Sequence, residues 1–445
     1  MMPAMKNTRF LLLIVALVWA TNASFAQKRL QSGPMVGYAD MREVLLWAQT
    51  KKSAKVHFTY REMTTGAKKH KTEKVRTESA TGFTAKCIAN EVEPGRTYHY
   101  DLHINGRKIK RPYETRFKTQ ALWQYRTDPP AFTVAAGSCA YDSEEQYDRP
   151  GKPYGSEFFI FNSIHAKQPD LMLWLGDNMY YREPDWSTRT GMLHRFTHAR
   201  SQPELQPLLA GCSQYAIWDD HDYGPNDSDR NWPHKEAAWE VFRAFWGNPT
   251  YGLEGQKGIT TFFKYNDIDF FLLDDRYFRT ANDCESCPRT LMGEQQLAWL
   301  MEGLAASKSP YKMVIIGGQV LTTNPSHESY FNLFPAEREL LLAHIARENI
   351  KGVVFVDGDP HFTELSMLTN EKGNKVYDLT CSSLTAGSFT DAATKTQNAH
   401  RVEGTLVNTH NFALLQFSGP RTARVLTVSV FDNKGNELWK KVLEP

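Results

Sequence analysis

The chain has 445 residues, 41% hydrophobic and 12% aromatic, with 52 Lys plus Arg against 50 Asp plus Glu and a formal net charge of +2. That composition excludes a disordered tail, a collagen-like repeat and a polytopic membrane protein, and the length exceeds what one small core organises. Near neutrality argues against a dedicated nucleic-acid binder, whose basic excess is usually strong, so no specific nucleic-acid recognition is expected.

Residues 1–26 read as a secretory signal peptide. Lys6 and Arg9 precede an apolar run over 10–20 that is too short to span a bilayer, and Ser24 and Ala26 occupy the small-residue cleavage positions before Gln27. The expectation is an exported protein, periplasmic or secreted, with no transmembrane anchor after cleavage. Six cysteines in such a length are no disulfide scaffold. Cys284-Glu-Ser-Cys287 is a lone C-x-x-C, and a local disulfide is favoured over half a metal site.

Residues 27–124 alternate apolar and polar positions, as in Lys55–Tyr60, Thr97–His103 and Thr115–Thr119, with turn signals at Thr65-Gly66, Glu93-Pro-Gly95 and Asn105-Gly106. Short strands at this spacing predict a small all-β sandwich of fibronectin or immunoglobulin type. Residues 125–130, ending in Pro129-Pro130, read as a linker. The charge is divided at this point. Residues 27–129 hold 21 Lys plus Arg and 10 Asp plus Glu, a net +11, whereas 130–445 hold 29 and 40, a net −11. The basic runs over 68–71 and 107–111 are ordinarily solvated faces; they are also able to hold the two regions together or to attract anionic polymers.

From residue 131 to the end, apolar runs alternate with helical periodicity. Five runs stop abruptly in polar residues: Phe132–Cys139, Leu171–Asp177, Tyr215–Asp220, Met313–Gln319 and Gly352–Asp359, with Ile268–Arg276 of similar shape. Continuous apolar runs mark strands buried on both faces. Helices are expected at Gly293–Ser307 and at Pro335–Asn349, the latter with Leu340, Leu341, His344 and Ile345 on one side. The fold class is α/β (α+β), mixed sheets flanked by helices, and the tail strands Phe412–Phe417 and Ala423–Phe431 should close a sheet antiparallel.

The chemistry sits where these strands end, the usual place for ligands in open α/β sheets. Cys139, Asp177, Asp219, Asp220, His221, Asp359 and His361 come from four separate strands. Converging carboxylates repel unless a cation neutralises them, so a metal centre explains the set better than a metal-free acid–base pair. In Gly176-Asp-Asn-Met-Tyr180, the three-residue spacing lets Asp177 and Tyr180 bind one ion. Trp218-Asp-Asp-His-Asp222 packs three carboxylates and an imidazole into four residues, a costly cluster without a cation. Gly358-Asp-Pro-His361 adds a D-x-H pair.

Gly137-Ser-Cys139, Asp170 to Gly176-Asp177 and Tyr180, Trp218-Asp-Asp-His-Asp222, Leu273-Asp-Asp-Arg276 and Gly358-Asp-Pro-His361 occur in the order found in PhoD-like alkaline phosphatases, and the chain resembles that family over most of its length. The resemblance implies a metallophosphoesterase-type sandwich of mixed sheets behind a fibronectin-like module. It implies an exported hydrolase releasing phosphate from phosphate esters with iron and calcium. Cys139, Asp177 and Tyr180 fall on the iron-ligand pattern, and Asp219 or Asp220, Asp359 and His361 fall around the ions. Asp222 stands where the family often has Glu, and Pro360 where a β-branched residue is common.

The expected mechanism is in-line attack on phosphorus by a metal-bound hydroxide. His221 is either the proton donor to the leaving alkoxide or a metal ligand, and Arg276 either binds phosphate or pairs with Asp274. His327 and His410 are weaker lining candidates, a satisfied structural histidine being favoured for His410. The substrate is a phosphate ester, a monoester by preference. Phosphodiesterase or phospholipase D-type activity is the alternative within enzymes, and a non-catalytic exported binding protein the alternative outside them. A monomer is expected.

Overall fold

The computed structural model describes residues 28–325, 328–388 and 397–445; the expected signal segment and His327 lie outside them. The first nine strands are β1 Leu30–Ala39, β2 Val44–Thr50, β3 Lys55–Glu62, β4 His70–Lys71, β5 Val75–Arg76, β6 Thr84–Ala89, β7 Thr97–Ile104, β8 Arg107–Lys108 and β9 Arg116–Lys118. They form two layers. β1, β2 and β6 lie in one; β4, β3, β7 and β8, with β5 and β9 added, form the other. Alternation sends Val36 and Leu46 from the first layer, and Phe58, Tyr100 and Leu102 from the second, into one shared apolar core. Asn105 and Gly106, both at positive φ, make the tight turn between β7 and β8 that their sequence signals.

Twelve further strands follow: β10 Phe132–Gly137, β11 Leu171–Leu175, β12 Ser213–Ile217, β13 Thr261–Tyr265, β14 Ile268–Leu272, β15 Lys312–Ile315, β16 Val353–Asp357, β17 Glu364–Thr369, β18 Lys375–Thr380, β19 Asn411–Ser418, β20 Val425–Asp432 and β21 Glu437–Leu443. One sheet has nine strands in the order β21-β20-β19-β10-β11-β12-β1-β2-β6, and a second has six in the order β13-β14-β15-β16-β18-β17. Both are mixed. β10, β11 and β12 run parallel, and β19 closes antiparallel on β10. The N-terminal layer does not stand apart from the main sheet, because β1 joins β12 through the parallel pair Val36 and Ser213.

The two large sheets stack face to face. Tyr215 of β12 lies flat on Phe263 of β13 with ring centroids 3.9 Å apart. The other face of the first sheet is covered by helices, as where Trp174 meets Phe161 and Trp246. The outer face of the second sheet packs Phe271, Val314 and Phe355 against helices Glu294–Ala306 and Pro335–Arg347. In the latter helix Leu341, His344 and Ile345 are buried as expected, but Leu340 is 49% exposed. Its position falls about 100° round the helix from Leu341, off the apolar stripe. Cys284 and Cys287 are joined by a disulfide. No helix of the described residues is long and apolar enough to cross a membrane.

Candidate metal centre

Four strand ends converge. β10, β11 and β12 deliver Cys139, Asp177 and the segment Asp219–His221 from one sheet, and β16 delivers Asp359 and His361 from the other. Glycines allow the approach. A Cβ on Gly176, which has φ +94°, would stand 2.7 Å from the Asp219 Cβ, and one on Gly358 would stand 2.5 Å from the Ser138 side chain. Cys139, Asp177, Asp359 and His361 all take left-handed backbone, with φ of 58°, 51°, 76° and 56°. Such strain in non-glycine residues survives only where the surroundings over-determine it, and it gathers at functional sites.

The side chains form two overlapping groups. Ligand atoms of Cys139, Asp177 and His361 lie within 4.8 Å of one another, and those of Asp177, Asp220 and His221 do the same. Asp177 belongs to both. The Cys139 Sγ is 3.8 Å from the Asp177 Oδ2, and the backbone N–H of His221 donates to the Asp177 Oδ1 at 3.2 Å. The Tyr180 hydroxyl is 3.2 Å from His361 Nε2, and its ring centroid is 4.3 Å from that of His221. Asp359 contributes its carbonyl, which lies 3.7 Å from the Cys139 Sγ.

Electrostatically the pocket is unfinished by protein alone. Burial, then Asp220, Asp219 and the other acids, push the Asp177 carboxyl far above the usual range. Burial, then Glu328 and Asp220, do the same to Asp359. Burial, then the Asp177 charge, raise the Cys139 thiol and the Tyr180 phenol. Asp220 is the exception: despite burial, His221, Arg276 and the Asp227 N–H hold it low. Burial keeps His221 below its ordinary value against the pull of Asp220, and holds His361 down at about 4, so the His361 imidazole is neutral and free to donate a lone pair. Mixed thiol, phenol, imidazole and carboxylate donors in this state fit metal ions, which would restore the ionised ligands that burial suppresses.

Asp219 and Arg276 occupy a different position from the rest. The Asp219 Oδ1 caps helix Asp220–Tyr223 and accepts from Arg276 Nε and Nη2 at 2.6 and 2.5 Å, while its Oδ2 is buried with no hydrogen-bond partner among the described residues. Arg276 Nη1 reaches Glu328 at 3.0 Å, and Arg279 grips the same carboxylate. The expected Arg276–Asp274 pair is therefore replaced. Asp274 is already saturated by Trp218 Nε1 and by the backbone N–H groups of Ile259, Arg276 and Tyr277. Asp222 completes the capping box, accepting from the N–H groups of Asn178 and Asp219, and burial lifts its carboxyl to about 7. His410 Nε2 lies 2.9 Å from the Ala386 carbonyl, and among the described residues it bonds none of the clustered side chains.

Four residues at the site escaped sequence reasoning. Tyr154 hydroxyl is 3.0 Å from His361 Nδ1, and the Arg149 guanidinium lies over the Tyr154 ring at 4.3 Å. Glu328 anchors Arg276, and Asp227 donates its N–H to Asp220 at 2.7 Å. Arg149 and Tyr154 sit in the Pro- and Gly-rich stretch after the Cys139 strand end, and that placement is the signal that could have found them.

Residues 135–427 match the PhoD-like phosphatase family, and residues 27–122 match a domain of unknown function, DUF7800. Alkaline phosphatase D of Bacillus subtilis (strain 168) is 23% identical over 330 residues, which is 63% of this chain and 53% of the relative. The chain thus spans about half the length of that relative. A solved structure of PhoD superposes with a TM-score of 0.74 at 18% identity, covering 93% of this chain and 92% of that one. The purple acid phosphatase PPD1 from yellow lupin (Lupinus luteus) seeds follows the same fold with a TM-score of 0.65 at 12% identity, covering 93% and 74%.

Proposed function

Because the chain belongs to the PhoD-like phosphatase family, we propose that it is an exported, metal-dependent phosphoric ester hydrolase of metallophosphoesterase type, releasing phosphate from phosphomonoesters. The observation that carries this reading is the sharing of Asp177 by two groups of ligand atoms, a donor set that would suit metal ions. Cys139, Tyr180 and His361 would hold the softer ion beside Asp177, which suits iron. Asp220, with Asp359 in its field, supplies the hard oxygen side that suits calcium. Bound there, such ions would supply Lewis acidity toward a phosphate ester.

The chain's own groups then divide the remaining work. His221 adjoins Asp177 and Asp220 within one group of ligand atoms, the place of a ligand rather than of a proton donor. Arg276 is committed to Asp219 and Glu328, so it positions the start of helix Asp220–Tyr223 instead of meeting substrate. Arg149 has no carboxylate partner among the described residues and stands over Tyr154 beside His361; it takes the role of guanidinium for the substrate phosphate. Tyr154 and the Gly387 carbonyl, 2.6 Å from His361 Nδ1, fix the imidazole so that Nε2 faces the pocket.

The test is turnover of aryl phosphate monoesters and diesters by the purified protein, with iron and calcium supplied and metal measured in the same sample. Monoester hydrolysis that chelation abolishes is the expected result. Faster hydrolysis of the diester overturns the monoester assignment, and no turnover of either ester with metals bound overturns the enzyme. An N-terminus at Gln27 on the exported protein is the expected outcome for the signal segment, and retention of residues 1–26 refutes cleavage.

A further inference from the structure

The outer face of the second large sheet holds a buried acidic patch that ester hydrolysis does not use. Asp357 of β16 pairs with Thr380 of β18, and Thr380 pairs in turn with Glu364 of β17. Asp378 lies two residues before Thr380 and so shares its face, opposite Phe355 of the outer core. Asp357, Glu364, Asp378 and Thr380 are each no more than 1% exposed. Gln319, in the segment that follows β15, reaches them and is itself buried.

Hydrogen bonds fix these groups and still leave an excess of acceptors. Gln319 Nε2 donates to Thr380 Oγ1 at 2.9 Å and to the Glu364 carboxylate at 3.0 Å, which settles which end of the amide is oxygen. Asp378 Oδ2 accepts from the backbone N–H groups of Val320 and Leu321 at 2.9 and 2.5 Å. Arg401 neutralises Glu364, and Arg338 donates to the Val320 carbonyl rather than to a carboxylate. Four buried oxygens then have no hydrogen-bond partner among the described residues: both of Asp357, the Asp378 Oδ1 and the Gln319 Oε1. The Gln319 amide is held on Thr380, opposite Asp357, and its backbone leads directly into the N–H groups that bind Asp378. Its oxygen therefore aims into the space between the two acids. A proton shared by Asp357 and Asp378 would occupy two of the four oxygens and leave two without a donor. One cation takes all four.

We propose that Asp357, Asp378 and Gln319 hold a calcium ion, which ties the segment after β15 to β16 and β18. Two carboxylates match a divalent charge, since Glu364 is already balanced by Arg401. Every open donor is an oxygen, which excludes the softer metals. Donors drawn from two strands and a loop suit the flexible shell of calcium better than the octahedron that magnesium demands. The site is separate from the centre at the strand ends, because the acids that act on Asp357 are Asp378 and Glu364. This ion is counted beyond the two at that centre.

The test counts calcium bound per full chain by equilibrium dialysis, with iron measured by elemental analysis in the same samples. Asp378→Asn should bind one calcium fewer than the parent and the same iron. The new amide keeps an oxygen for the Val320 and Leu321 N–H groups and offers Asp357 the donor it lacks, so the fold should persist. Asp357→Asn should lose the same single ion, and it decides the matter if Asp378→Asn does not fold. Asp177→Ala, expected to forfeit the ions of the centre, should keep this calcium. Added calcium should raise the melting temperature of Asp177→Ala and leave that of Asp177→Ala with Asp378→Asn unchanged. Equal calcium in the parent and in the Asn variants overturns the proposal, the acids then sharing a proton. So does an equal rise in melting temperature with sodium or potassium in place of calcium. The comparison of the parent with the Asn variants does not involve the centre, so it stands whether or not the catalytic reading does.

Discussion

In the N-terminal β layer, several buried polar groups answer one another, His57 Nδ1 being an exception: Thr50 and Thr77 share a hydrogen bond of 2.7 Å, Gln49 takes the Ser32 hydroxyl at 3.0 Å, and the Tyr100 hydroxyl donates to the Ala210 carbonyl at 3.0 Å. At the converging strand ends the opposite holds. Among the described residues Asp219 Oδ2 has no partner, and Asp177 and Asp359 are forced toward their neutral forms by burial and by neighbouring acids. Unsatisfied buried groups cost free energy, so a fold tolerates them where something other than protein completes them. The first region is arranged for its own stability and the second for a ligand set.

Substitution at the centre should break this contrast most visibly. Asp177→Ala should lower turnover by more than about 100-fold, since even residues one step removed from a metal cost 10- to 100-fold. Loss of both metals, measured by elemental analysis, should accompany it, with the fold retained. Loss of one metal alone would refute the shared carboxylate. In the β layer, Phe58→Ala should cost about 3–5 kcal/mol of unfolding free energy by denaturant titration, while turnover per folded molecule stays at the parent's value. A loss of turnover at unchanged stability would mean that the two regions are not separable in this way.

Smaller effects sharpen the contrast. Arg149→Ala should raise KM about tenfold with little change in metal content, the scale of one charge-assisted contact to phosphate of about 1.4 kcal/mol. The metal-free protein should also lose stability as pH rises. Asp222 sits at about 7 when folded and lower when unfolded, so the folded chain binds the extra proton. Its contribution is complete in acid and is lost between the unfolded carboxylate value and about pH 7; Asp177 and Asp359, raised further, extend the loss upward. Melting temperature in chelator should fall across that interval, and added metal should flatten the fall.

The strand ends were legible because an apolar run that stops in Asp or Cys marks both where a strand terminates and what it presents. Cys139, Asp177, Asp220, His221 and His361 meet for that reason. Which of the two adjacent carboxylates joins the cluster of ligand atoms with Asp177 and His221 was not legible. Asp219 takes extended backbone at φ −132° as a helix cap, which turns its Oδ1 to Arg276, and Asp220 begins the helix. The partner of Arg276 was hidden as well, since Glu328 comes from a loop far along the chain. Likewise, nothing in the alternation of residues 27–124 says that β1 extends the main sheet, because a strand's neighbour is set by packing and not by its own pattern. The opposed charges of the two regions were plain in the sequence, but the pairing of His57 with His103 across β3 and β7 needed the register of the strands.

The pairing of β10 with β19 has a temporal consequence. Phe132 meets Phe417 and Ala136 meets Ala413, so the strand that ends at Cys139 acquires one of its two neighbours only when nearly the whole chain has been synthesised. Contacts this distant in sequence form slowly, and they form after the local hairpins of the N-terminal layer. A growing chain therefore exposes an unfinished strand edge and scattered ligands for most of its synthesis. A polypeptide halted short of residue 411 lacks the strand that pairs with β10, which leads into Cys139.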